Sequence, residues 1–135
     1  MMEKLFNKRT FILSLIGALG GIFIIVSALK YGPAISTDSV AYIYAAESFI
    51  AGRGFVYFGY ESPFIQWPPL FPALIGVVSA LGLETSQAAL YLNAVVFAMI
   101  IFFSGLWFCR NVRRYVFAVV GTFAVLLSIP VFKVA

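Results

Sequence analysis

Residues 11–29, FILSLIGALGGIFIIVSAL, carry no charge and form a run long enough to cross a bilayer as a helix. Lys4, Lys8 and Arg9 precede it, a placement of positive charge that predicts a cytoplasmic N-terminus. A cleavable signal peptide would use Val26-Ser27-Ala28 as its small-residue site. The run exceeds the roughly 7–15 residues of a signal core, which favours an uncleaved anchor. Gly17 and Gly21 give the GxxxG spacing that lets helices approach closely.

The rest of the chain has the same character. Hydrophobic residues make up 63% and charged residues 10% of its 135 residues, and the mean hydropathy is +1.04. A soluble domain is about half apolar and a quarter charged, so the composition predicts an all-α, multi-pass membrane protein. The net charge of +4 is no nucleic-acid signature, because the basic residues flank apolar runs. Cys109 is the single cysteine, so no intrachain disulfide can form. Histidine is absent, which removes the commonest general base and metal ligand.

Three further hydrophobic segments follow. Leu70 to Leu83, opened by Trp67-Pro68-Pro69 and with Pro72 in its first turn, is short for a full crossing. Ala88 to Phe108 is a clear span whose Asn93 is expected to bond a neighbouring helix, and Val116 to Phe132 is the last run. Arg110, Arg113 and Arg114 stand between these two runs. If 70–83 crossed fully, those arginines would lie outside, against the positive-inside bias. The charges therefore predict three crossings (11–29, 88–108 and 115–132) and an outer loop over 30–87 that holds helices near 37–51 and 69–83.

That outer loop holds most of the chemistry-bearing residues. Thr37 to Ala51 is predicted to be an amphipathic helix, capped by Thr37 or Asp38 and ended by Gly52 and Gly54. Its apolar face is Val40, Ile43, Ala46 and Ile50, suited to lie on the membrane surface. Arg53 to Gln66 is turn-like, with Tyr57, Phe58, Tyr60, Phe64 and then Trp67 at the headgroup level. Asp38 has two roles open to it: helix capping, or a general base or divalent-cation ligand at the membrane surface. Arg53 and Lys30 are phosphate or interface candidates, and Tyr57 and Trp67 could stack on a sugar or form an aromatic belt. Glu47 and Glu61 read as solvated. Cys109 reads as a buried neutral thiol or an acylation site. No Gly-rich phosphate loop, CxxC, HExxH or nucleophile elbow is present.

The order of these features resembles the N-terminal portion of the GT-C membrane glycosyltransferases, such as the protein O-mannosyltransferases and aminoarabinose transferases. The matching residues are Asp38, Tyr42, Ala45, Gly52, Gly54 and the run Pro68-Pro69-Leu70-Phe71-Pro72, with the basic turn Cys109 to Arg114. The resemblance implies sugar transfer from a polyprenyl-phosphate-linked donor to an acceptor at the outer face, with Asp38 as catalytic base or acceptor-orienting group. Ser39 stands where many members carry a second acid, and Trp67 where some carry Lys or His. Members run to several hundred residues, so the resemblance further implies that this chain is a part, partnered by later helices of the same protein and inactive alone. A small non-catalytic membrane subunit or scaffold is the competing expectation. A transporter is disfavoured, because the spans lack ionisable residues.

Overall fold

A computed structural model describes residues 2–33, 35–59 and 62–128, with side chains from Lys8 onward. It is all-helical, with α1 Met2–Ala28, α2 Thr37–Ile50, α3 Leu70–Ser79, α4 Thr85–Asn111 and α5 Tyr115–Ser128. Two stretches, Lys8–Ala28 and Thr85–Asn111, are long and apolar enough to cross a membrane. Of the segment expected as a third crossing, 115–132, the described part is the 14-residue α5, a shorter apolar helix than those two, and residues 129–132 lie outside the described part. The chain divides into two compact units, one of residues 1–26 and 93–135 and the other of residues 27–92.

In the first unit α1, α4 and α5 pack through Ile16, Phe97 and Ile101, with Ile12, Ile24, Val119, Val125 and Leu126 against them. Small residues set the spacing. A Cβ on Gly17 would stand 2.8 Å from the Ala98 carbonyl oxygen, and one on Gly21 would stand 3.0 Å from that of Ala94. Rising numbers on α1 meet falling numbers on α4, so the two helices are antiparallel. The Gly17/Gly21 spacing is therefore a packing face. At one end of this unit the Arg9 guanidinium lies 5.0 Å over the Tyr115 ring, joining the start of α1 to the start of α5. Asn93, expected to bond a neighbouring helix, is exposed instead, because it falls on the outward side of α4.

In the second unit α2 packs on α3. The face of α2 that packs within the unit is Ala41, Ala45, Ala46 and Ser48; of the expected apolar face it includes only Ala46, while Ile50 remains 49% exposed. Small side chains let α3 come close, with Gly76 of α3 set against Phe49 and the Ala46 carbonyl. Ile75 and Ala88 are fully buried beside Ala46. The cap is corrected. Ser36 is the N-cap, accepting the Ser39 N–H at 3.2 Å, and Asp38 lies in the first turn. The C-terminus closes with paired bonds, Gly52 N–H to the Phe49 carbonyl and Arg53 N–H to that of Ser48. That closure needs a left-handed residue, and Gly52 supplies it at φ 74°. α3 ends at Ser79, short of the expected Leu83, because Gly82 turns the chain at φ 96°. Its 10 residues rise only about 15 Å, half the thickness of a bilayer core.

Candidate functional site

The loop between α2 and α3 folds back on itself. Val56 pairs antiparallel with Pro63, and the Tyr57 and Phe64 amides bond the Ser62 and Phe55 carbonyls. This bridge carries Tyr57 and Phe64 over the small face of α2, where Ala41 and Ala45 leave room for rings. Tyr57 and Trp67 are stacked at 6.1 Å between centroids and only 7° between planes. Tyr42 meets Phe64, Trp67 and Phe71 at 5.8, 6.0 and 5.3 Å. Five rings thus form one cluster within the second unit.

The structure brings together two of the four sequence-predicted site residues, Tyr57 and Trp67, and does so face to face. Each ring spends one face on the other, so a sugar would meet their edges or outer faces. Asp38 is exposed in the first turn of α2, one turn before Tyr42 and on the same side of the helix. Arg53 is exposed beyond the other end of that helix. At about 1.5 Å per residue the two are roughly 20 Å apart, so they cannot grip one phosphate together. The Lys30 ammonium rests 4.9 Å over the Tyr31 ring. Glu61 and Tyr60 lie outside the described residues.

A second feature was not evident from the sequence. An open cleft of about 260 Å³ is walled by Ile43, Tyr44 and Phe58 and carries two carboxylates, Glu47 and Glu84, with Ser86 beside them. The Tyr44 ring meets Phe58 edge-on at 5.2 Å. Glu84 has no motif around it, and only the return of the chain into α4 puts it near Glu47. Among the described residues no group of three carboxylate or thiol side chains comes together to hold a metal. A divalent ion at Asp38 would therefore need oxygen ligands from a substrate phosphate, a common arrangement for magnesium. On α2, Ser48 is buried and its hydroxyl has no hydrogen-bond partner.

No protein-family model, curated protein or solved structure matches this chain.

Proposed function

We propose that this chain is the N-terminal membrane part of a GT-C type glycosyltransferase, moving a sugar from a polyprenyl-phosphate-linked donor to an acceptor at the outer membrane face. One observation carries this reading: an exposed carboxylate, Asp38, opens a helix one turn from a five-ring aromatic cluster, in a unit interposed in sequence between two membrane-length helices. In this reading Asp38 takes the acceptor hydroxyl proton or orients that hydroxyl. The half-buried Tyr57–Trp67 pair would offer its remaining accessible edges to a sugar ring, and Arg53 is too distant to share a phosphate with Asp38.

The test is Asp38→Asn, assayed for transfer from polyprenyl-phosphate sugars in membranes carrying the protein. Loss of a general base costs about 10²–10⁴-fold in rate. Full retention of transfer by the variant would remove the catalytic assignment. A second reading has its own support in the mutual stacking of Tyr57 and Trp67. Rings that fill their faces with each other serve packing, and a non-catalytic membrane subunit needs nothing more from this unit.

A further inference from the structure

We infer that the end of the first unit where α1 begins and α4 turns into α5 is a binding site for the headgroup of an anionic phospholipid. The inference does not rest on the glycosyl-transfer reading. Lys8 and Arg9 on α1, Arg110 on α4 and Arg113 and Arg114 in the turn are all exposed. Arg9 lies over Tyr115, the first residue of α5, so the cations of α1 and those of the turn share one end. No ion pair satisfies any of them among the described residues. Glu3 is the only acid in the sequence of this unit, and the first turn of α5 has none.

Charge alone would suit any anion, but the neighbouring side chains choose a lipid. Within one turn of the cations stand Phe11, Trp107, Val116 and Phe117, which are 63%, 61%, 68% and 60% exposed. An end facing bulk water would not leave four large apolar side chains uncovered on three helices. At the edge of a hydrocarbon layer they are covered by acyl chains, and the arginines stand at the level of the phosphates. Two arginines in the short α4–α5 turn, and Arg9 over the first residue of α5, then stand at the one end where a headgroup phosphate would be met.

The test uses the purified chain in dodecylmaltoside. Its unfolding temperature is followed as phosphatidylglycerol, phosphatidylcholine of the same acyl chains, or glycerol 3-phosphate is added. A saturable rise is expected with phosphatidylglycerol at concentrations where the other two do little. Removing each cation weakens attraction to an anionic surface by about fivefold, so R113Q/R114Q should raise the half-saturating concentration about 25-fold. An equal response to phosphatidylcholine, or an unchanged variant, would overturn the site. A full response to glycerol 3-phosphate would replace lipid by soluble phosphate and overturn it too. Should the variant not fold, molar salt on the unaltered chain decides: the phosphatidylglycerol response must fall to the phosphatidylcholine level, and its persistence refutes the inference.

Discussion

The hydroxyl of Ser36 accepts the Ser39 N–H, which leaves the Asp38 carboxylate only the positive end of the α2 dipole to answer. The two residues therefore contribute differently to stability. Ser36→Ala removes a cap and is expected to lower stability by about 1 kcal/mol. Asp38→Ala forfeits a surface dipole interaction of about 0.3–1 kcal/mol and should cost less. Denaturant titration of both variants, followed by circular dichroism, checks the order. A larger loss at Asp38 would mean that its carboxylate caps the helix after all. A small stability cost combined with a large loss of sugar transfer would identify a carboxylate kept for chemistry. Capping positions are hard to resolve in STDS, residues 36–39, because each of those side chains can accept an amide. The choice depends on the path of the preceding chain, which no local pattern encodes.

Among the helices, the most restrictive contact is that of α1 with α4. Gly17→Ala should gain up to about 1 kcal/mol from helix propensity. The new Cβ, however, would meet a backbone oxygen at 2.8 Å, and a carbonyl within a helix cannot rotate away. The helices must separate, and overpacking of this kind costs about 1–3 kcal/mol, so the net sign is destabilising. Unfolding of the variant in mixed detergent micelles checks it, and a stabilised Gly17→Ala would mean the helices do not approach so closely. The long helices were legible because an uncharged run of membrane length leaves the backbone no alternative but to bond within itself. The register of α2 was not legible. Its buried face is Ala41, Ala45, Ala46 and Ser48, residues that add little hydrophobicity yet admit rings and a crossing helix. Val40, Ile43 and Ile50 dominate any apolar pattern and are left partly or largely exposed. The aromatic cluster was legible as composition only, since the stacking of Tyr57 on Trp67 depends on the Val56–Pro63 bridge. The Glu47–Glu84 cleft had no local signal at all.

For the molecule as a whole, the antiparallel pairing of α1 and α4 ties the two basic segments to one end of the first unit. A hydrophobic segment between them that crossed the membrane would have separated those segments. α3, at 10 residues, is too short to do so. The positive-inside bias predicts that this shared end is cytoplasmic and that the loop over 30–87 is external, and cysteine labelling tests that expectation. Arg113→Cys in a Cys109→Ala background should resist a membrane-impermeant maleimide in intact cells and react once the cells are permeabilised. Arg53→Cys in the same background should react without permeabilisation, since its position is exposed in the loop expected outside. If Arg113→Cys were labelled in intact cells as fast as Arg53→Cys, both basic segments would lie on the outer face. The anionic-lipid site would then belong to the outer leaflet, and the expected outer-face placement of Asp38 would fail with it.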